Sequence, residues 1–147
     1  MFPVLLDRFK HIHNGGPVDK ALVIRDCDRK AVEDVRLEME RKLGDRTYPF
    51  PVELCVVRRC LDSWLLADHD AISAVAIGRG GRRVGPVNQN PEEIQNAKER
   101  LMGLMAEARL PYTPAALGEI SAIINLELLH YRCPSFRDFQ TRVNEGL

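Results

Sequence analysis

The chain has 147 residues, with 21 Lys and Arg balanced by 21 Asp and Glu, 45% hydrophobic residues and four cysteines. This length fits a single domain, the ordinary apolar fraction argues against wholesale disorder, and zero net charge argues against a generally basic nucleic-acid coat protein. No apolar run approaches the roughly 20 residues of a membrane span, and Met1–Lys10 carries Asp7 and Arg8 within a short apolar stretch, unlike a signal peptide. We therefore expect a cytoplasmic protein that does not enter a membrane.

The first half of the chain alternates helical and strand patterns. Pro3–His13 is predicted to be a short helix. Lys20–Arg25 is an almost uninterrupted apolar run, typical of a strand covered on both faces in a parallel sheet. From Arg29 to Leu43 the apolar residues recur at helical spacing, with Gly44 as the expected C-terminal cap. Phe50–Val57 is a second predicted strand.

The second half of the chain is predicted to be helical around one loop. Leu61–Ala67 has a helical pattern, and Asp68 is the expected N-cap of a further helical stretch, Ala71–Ile77. Glycine, proline and asparagine mark a loop over Gly78–Asn90. Three more helices are predicted over Pro91–Ala108, Pro114–His130 and Ser135–Val143.

This order of elements predicts an α/β fold with a helical C-terminal portion over residues 91–147. Two parallel strands cannot cover their own edges and faces, and such small sheets are barely stable alone. Either further strands escape the pattern, or another chain completes the sheet, or an N-terminal portion precedes this sequence. We favour the last explanation.

The cysteines and the single tryptophan are interpreted as packing residues. No C-x-x-C pair or common zinc spacing is present, and Cys27 and Cys55 lie in or beside apolar strands, where a free thiol acts as a small hydrophobe. Trp64 lies among leucines and is predicted to be a core anchor rather than a stacking platform.

The first candidate site is Asp26-Cys27-Asp28, at the end of the first predicted strand. Residues two apart in an extended segment point to the same side, so both carboxylates would project from the carboxyl edge of the sheet, where open α/β folds bind ligands. A hard cation such as Mg²⁺ would relieve their repulsion. The alternative is that Asp28 caps the following helix and Asp26 is an ordinary turn residue.

Asp62 follows the second strand and can reach the same edge of the sheet as Asp26 and Asp28. Its alternative role is that of N-cap to Ser63–Ala67.

Five arginines are candidates for contact with the phosphates of nucleic acid. Arg79, Arg82 and Arg83 lie in a glycine-rich segment that can follow a phosphate backbone, although as a plain solvated loop the segment needs no function. Arg58 and Arg59, beside the predicted acidic site, are better placed.

Four segments in order resemble one family. Lys20–Asp28 (KALVIRDCD), Arg59–Asp68 (RCLDSWLLAD), Asn90–Leu101 (NPEEIQNAKERL) and Tyr131–Phe139 (YRCPSFRDF) together resemble the Toprim-like family known as domain of unknown function 4276, which is related to the Toprim domains of OLD-type nucleases. The resemblance runs from about Leu5 to the C-terminus.

The resemblance implies one Toprim-like, Rossmann-like domain over residues 1–147, with a small parallel sheet and flanking helices. It implies Mg²⁺ or Mn²⁺ as cofactor, with Asp26 and Asp28 as the family's D-x-D pair. The family's acid-x-Trp segment corresponds to Asp62-Ser63-Trp64, where Asp replaces the more usual Glu and draws the carboxylate back. An ATPase of the ABC/SMC-like type is an implied partner.

The chain departs from the family at its start, because the family opens with a strand that ends in Glu-Gly. Nothing before Asp26 resembles that strand, and the upstream acids Asp7 and Asp19 have the wrong surroundings. We therefore expect an N-terminally shortened copy of the domain.

Two functions from different classes follow. The first is a metal-dependent nuclease that acts on phosphodiesters in genome defence or DNA processing, with Asp26, Asp28 and Asp62 as catalytic metal ligands. The second is a non-catalytic, degenerate Toprim subunit that docks an ABC/SMC-like ATPase or associates with itself by strand addition.

Overall fold

The two apolar runs in the first half of the chain form a parallel pair of strands. In the computed structural model, which describes residues 2–10 and 18–145, β1 is Ala21–Asp26 and β2 is Val52–Val57. Their register runs from Ala21 opposite Val52 to Asp26 opposite Val57, so the two strands end level with each other. Within the described residues this pair is the whole sheet.

Helices account for the rest of the regular structure. The predicted helix over Pro3–His13 is observed as far as Phe9, and its last residues lie outside the described ranges. In the described part of the chain the helices are α1 (Phe2–Phe9), α2 (Val32–Leu43), α3 (Asp62–Leu65), α4 (His69–Gly78), a 3₁₀ helix (Pro91–Glu93), α5 (Ala97–Glu107), α6 (Pro114–Ile123), α7 (Leu126–Arg132) and α8 (Pro134–Asn144). The α/β class with a helical C-terminal portion is therefore confirmed.

The helix between the strands packs on one face of the sheet. Val35 and Met39 of α2 are fully buried against Leu54 and Val56 of β2. The predicted cap is confirmed, because Gly44 has a positive φ of 57° and its N–H donates to the Glu40 carbonyl at 2.9 Å. Glycine adopts this conformation without the steric cost of a Cβ.

The other face of the sheet is only partly covered. Val57 packs with Trp64 and Phe136, and α8 lies against β2 rather than over both strands. Ile24 of β1 is consequently 42% exposed, so the expectation of a first strand covered on both faces is wrong at this residue.

The predicted helix over Pro91–Ala108 is broken. The 3₁₀ turn ends at Glu93, Ile94 is extended with φ −71° and ψ 112°, and α5 begins only at Ala97. The side chain of Ile94 is 7% exposed and belongs to the main core. Burial of Ile94 in that conformation outweighs the helical pattern, and the break exposes Gln95 and Asn96.

The predicted helix over Pro114–His130 is also two helices, which meet at Asn125. The Asn125 side chain caps α7 by accepting from the Leu128 N–H at 3.1 Å, and its own N–H donates to Asp68 at 2.9 Å. The other oxygen of Asp68 accepts from the Ala71 N–H at 3.1 Å, which confirms Asp68 as the N-cap of α4. One buried carboxylate thus stabilises a helix start and fixes a distant helix break.

The packing roles of the cysteines and the tryptophan are confirmed. Cys27 and Cys55 are buried free thiols. Trp64 is 8% exposed and meets Phe136 edge to face, with ring centroids 5.1 Å apart. No helix in residues 2–10 or 18–145 combines the length and apolar character needed to cross a bilayer.

A buried carboxylate, Glu92, joins the break before α5 to the start of α8. Glu92 is 1% exposed and accepts from the Trp64 indole N–H at 3.2 Å, from the Ser135 N–H at 3.1 Å and from the Ser135 hydroxyl. Ser135 lies in the first turn of α8, whose N-cap residue makes no side-chain capping bond. Glu92 therefore caps α8 from a distant part of the chain.

Replacing Glu92 by Gln should destabilise the fold. The amide nitrogen of Gln would face N–H and O–H donors, so we expect the free energy of unfolding in urea to fall by about 2 kcal/mol, the scale of hydrogen bonds to a charged group. Glu93→Gln, in the same turn but exposed, is the matched control and should change it by less than about 0.5 kcal/mol. Equal stabilities of the two variants would contradict the capping role.

Candidate functional site

The loops that follow β1 and β2 are held together beyond the ends of the strands. The Cys27 N–H donates to the Val57 carbonyl at 3.0 Å, and the Asp28 N–H donates to the Arg59 carbonyl at 2.8 Å. The Arg59 N–H in turn donates to the Cys27 thiol sulfur at 3.2 Å. The level ends of the strands therefore place Asp26, Asp28 and Arg59 at one edge of the sheet.

Both loops carry unusual backbone conformations. Asp28 has φ 52° and Arg59 has φ 68°, and Arg109 is the third non-glycine residue with positive φ in the described ranges. The left-handed conformation costs of the order of 1–3 kcal/mol for a non-glycine residue and is concentrated at functional sites in proteins. The carboxyl edge of the sheet thus holds two of these three strained residues.

The structure brings the three predicted aspartates into one cleft. Asp26, Asp28 and Asp62 line an open cleft of about 390 Å³ at the carboxyl edge of the sheet, called the aspartate cleft below. The start of α5 forms its other wall. The remaining lining residues are Arg29, Arg59, Cys60, Gln95, Asn96, Ala97, Lys98 and Glu99.

The electrostatics of Asp26 reflect this crowding. Burial, followed by the charges of Asp28 and Asp62, raises the pKa of Asp26 to about 6, and the backbone N–H of Leu61 opposes part of the rise. One carboxylate oxygen of Asp26, Oδ1, is buried and has no hydrogen-bond partner among the described residues. An unpartnered buried carboxylate oxygen beside two further acids is a site that favours a cation.

Asp62 is held by a tyrosine from the helical portion. The Tyr112 hydroxyl donates to Asp62 Oδ1 at 2.6 Å, and burial together with this carboxylate raises the pKa of Tyr112 to about 12. Lys98 Nζ lies 5.9 Å from the centre of the Tyr112 ring. Tyr112 therefore fixes the orientation of Asp62 at the cleft and stays protonated at any ordinary pH.

The helix-capping alternatives for Asp28 and Asp62 are wrong. The N-cap residue of α2 is Ala31, and it makes no side-chain capping bond. Asp62 is the first residue of α3, not its cap, and no side-chain capping bond is present there either. Neither carboxylate in these described segments is occupied by a helix start.

The five predicted arginines separate into two groups. Arg59 lines the aspartate cleft, and Arg58 lies beside it. Arg79 forms a two-pronged ion pair with Glu119, Arg82 donates to the Glu107 carbonyl, and Arg83 is 76% exposed.

The glycine-rich loop packs at the far end of α5. The Gly81 N–H donates to the Ala76 carbonyl, and a Cβ at Gly81 would lie 2.2 Å from the Ala108 carbonyl oxygen. The aspartate cleft meets the start of α5, and a helix of 11 residues is about 16 Å long. The structure therefore does not bring Arg79, Arg82 and Arg83 to the aspartates.

The donor set limits the kind of metal centre that fits here. In residues 2–10 and 18–145, no three His, Cys, Asp or Glu side chains are grouped so that they can hold a metal ion. Mg²⁺ is usually bound by one or two carboxylates, with waters and substrate phosphates as the other ligands. The cleft thus fits Mg²⁺ held by two aspartates together with substrate, and does not fit an all-protein metal cage.

Comparisons of the chain with protein-family models, with curated proteins and with solved structures find no match. The chemistry of the cleft itself is therefore the guide to function.

Several cleft residues were not among the sequence predictions. Lys98 and Glu99 face the aspartates from the start of α5, and Tyr112 lies 50 residues after its partner Asp62. Lys98 and Glu99 were missed because the sequence predicted an uninterrupted helix over Pro91–Ala108, and the break before α5 was not expected. No local pattern marks Tyr112, because its role arises only from the long-range contact.

Replacing Asp26 by Asn should stabilise the protein at neutral pH. Folding raises the pKa of the Asp26 carboxyl from its ordinary value of 3.8 to about 6. The folded protein is therefore destabilised as the pH rises through this range and the carboxyl ionises, whereas the amide of Asn does not ionise. At pH 7.5 we expect Asp26→Asn to raise the free energy of unfolding by about 1 kcal/mol, which allows for solvent screening, and at pH 4.5 the gain should fall to about a third of that.

The exposed Asp45 provides the matched control. Urea unfolding of Asp45→Asn at both pH values should show no such pH-dependent gain. A gain of Asp26→Asn that is equal at pH 4.5 and 7.5 would disprove the charge explanation.

Proposed function

We propose that this chain is a Toprim-like domain that hydrolyses phosphodiester bonds of nucleic acid with Mg²⁺ or Mn²⁺, in genome defence or DNA processing. The observation that supports the proposal is the meeting of Asp26, Asp28 and Asp62 in one open cleft at the carboxyl edge of a parallel sheet. Open α/β folds bind their ligands at this edge.

Asp26 and Asp28 are the proposed direct ligands of the cation. They follow the same strand, Asp28 is the stronger of the two charges that raise the pKa of Asp26, and Asp26 Oδ1 has no partner in the described chain. When bound, Mg²⁺ would supply Lewis-acid polarisation of the phosphate and a water of lowered pKa. Below about pH 6 Asp26 takes up a proton, which competes with its role as a ligand.

Asp62 acts from the opposite loop with a fixed orientation. Tyr112 occupies Asp62 Oδ1, so Oδ2 is the oxygen left to accept a hydrogen bond from a water bound to the metal. Because Tyr112 comes from the segment between α5 and α6, the helical portion takes part in the site.

The cations of the cleft orient the substrate. Arg29, Arg59 and Lys98 line the same cleft as the three aspartates. Arginine binds phosphate oxygens through paired N–H groups, and the mixture of acids and bases suits a phosphate bridged to a cation.

The non-catalytic alternative stays a prediction. One edge of β1 has no partner strand within residues 18–145, and Ile24 is exposed on β1. Light scattering addresses self-association, and capture of an ABC/SMC-like ATPase would address the other docking partner.

Cleavage of a fluorescent single-stranded DNA in the presence of Mn²⁺ tests the proposed activity. We expect cleavage by the unaltered chain, and a rate at least about 100-fold lower for Asp28→Asn and for Asp62→Asn, on the scale of one lost catalytic electrostatic contact. Asp45→Asn removes the same charge from an exposed position outside the cleft lining and should cleave at the unaltered rate. Equal rates for all four proteins would trace the activity to a contaminant and overturn the proposal.

Metal binding tests the role of Tyr112 separately. Tyr112→Phe removes the hydroxyl that positions Asp62, and we expect the Kd for Mn²⁺, measured by calorimetry, to rise about tenfold, as for other residues that orient a metal ligand. Tyr131→Phe is the matched control, because it removes the same hydroxyl from a residue that is 82% exposed. Unchanged Mn²⁺ affinity in Tyr112→Phe would exclude contact between Asp62 and the water bound to the metal.

A further inference from the structure

A second cleft adjoins the aspartate cleft and has the opposite charge. It measures about 320 Å³ and is lined by four cationic side chains, Arg29, Lys30, Arg58 and Arg59. Cys27, Ala31 and Val32 complete the lining, so within the described residues no carboxylate lines it. A concave surface with four positive charges and no acid favours an anion.

The same loop linkage that builds the aspartate cleft builds this basic cleft. The bonds from Asp28 to the Arg59 carbonyl and from Arg59 to the Cys27 sulfur hold the two loops against each other. The four cationic residues therefore come from two loops that are hydrogen-bonded to each other, with Arg29 and Lys30 on one and Arg58 and Arg59 on the other.

Most of the cationic capacity of the basic cleft is available to a ligand. Lys30 pairs with Glu38 at 2.5 Å, but Arg29 and Arg58 are exposed and form no ion pair within the described residues. Arg59 donates one N–H to the Asp28 carbonyl at 3.3 Å, and its buried Nε has no partner in the described chain. The start of α2, at Ala31 and Val32, adds backbone N–H groups that no side chain caps.

The two clefts are neighbours, because Arg29 and Arg59 line both of them. A single phosphate at the aspartates would not reach Lys30 and Arg58 through the aspartate cleft, since these two residues line only the basic cleft. In a nucleic-acid strand the phosphate next to the scissile one needs its own cationic partners, and the basic cleft is the cationic surface that adjoins the aspartates.

We propose that the basic cleft binds the phosphate next to the scissile one, so that the substrate is a nucleic-acid strand with at least two successive phosphates and not an isolated phosphodiester. This inference rests on the proposed function for the position of the scissile phosphate. The binding of a phosphate at Arg58 and Arg59 does not itself require a metal or a reaction.

Binding without metal is the first test. Fluorescence anisotropy of a labelled single-stranded DNA is measured in EDTA, where no hydrolysis occurs, for the unaltered chain and for Lys30→Gln/Arg58→Gln. We expect the Kd of the double variant to rise about tenfold, and the slope of log K against log salt to fall by about 0.7, the value for one phosphate contact on a single strand.

The matched control is Arg82→Gln/Arg83→Gln, which removes the same charge from the loop at the far end of α5. Its Kd should change by less than about twofold, because screening weakens charges beyond about 10 Å. Equal losses in the two double variants would mean that only net charge matters and would overturn the proposal. All of the replaced residues are exposed, and equal unfolding midpoints in urea would confirm that folding is intact.

Substrate choice is the second test. With Mn²⁺, Lys30→Gln/Arg58→Gln should raise the KM for an oligonucleotide about tenfold, matching the loss in binding, and leave kcat/KM for bis(p-nitrophenyl) phosphate, which has one phosphate, unchanged. A similar loss on both substrates would place these side chains at the scissile phosphate and overturn the inference. If no protein cleaves either substrate while the binding difference in EDTA persists, the proposed function fails and the phosphate cleft stands.

Discussion

The level ends of the two parallel strands are the constraint on which the site depends. Asp26 lies opposite Val57, and the ladder continues past both strands through the bonds of Cys27 and Asp28 to the second loop. A shift of one residue in this register would turn Asp26 to the other face of the sheet and separate it from Asp62. Burial of Leu54, Val56 and Val57 specifies the register, so the core of the small sheet fixes the geometry of the carboxylates.

The aspartate cleft brings like charges together in a way that destabilises the folded protein. Three aspartates meet at one edge, two loop residues adopt strained backbone conformations, and Asp26 keeps a buried oxygen without a partner among the described residues. By contrast, the carboxylate of Glu119 is paired with the guanidinium of Arg79 at 2.6 Å. A protein tolerates such local cost where a ligand supplies the missing interaction, and here a cation relieves the acids while phosphates engage the neighbouring arginines.

Sequence reasoning succeeded where a local pattern and a topological rule agreed. The runs before Asp26 and before Arg58 indicate parallel strands, and the rule that such strands end at a common edge is enough to bring Asp26, Asp28 and Asp62 together. It failed at Ile94 and Asn125, because those helix breaks depend on core burial and on the distant Asp68. Tyr112 could not be found, since its hydroxyl acquires a role only when the segment between α5 and α6 packs against Asp62 at the start of α3.

The helical portion is therefore a wall of the site and not an appendage to the sheet. Glu92 ties the segment before α5 to Trp64 and to the start of α8, which itself packs on β2. This connection holds the segment that contains Gln95, Asn96 and Lys98 in the lining of the aspartate cleft. A two-stranded sheet alone could not hold three like charges in place. The buried carboxylate of Glu92 does not line the cleft, but its bonds to Trp64 and Ser135 hold the helical wall against the edge of the sheet.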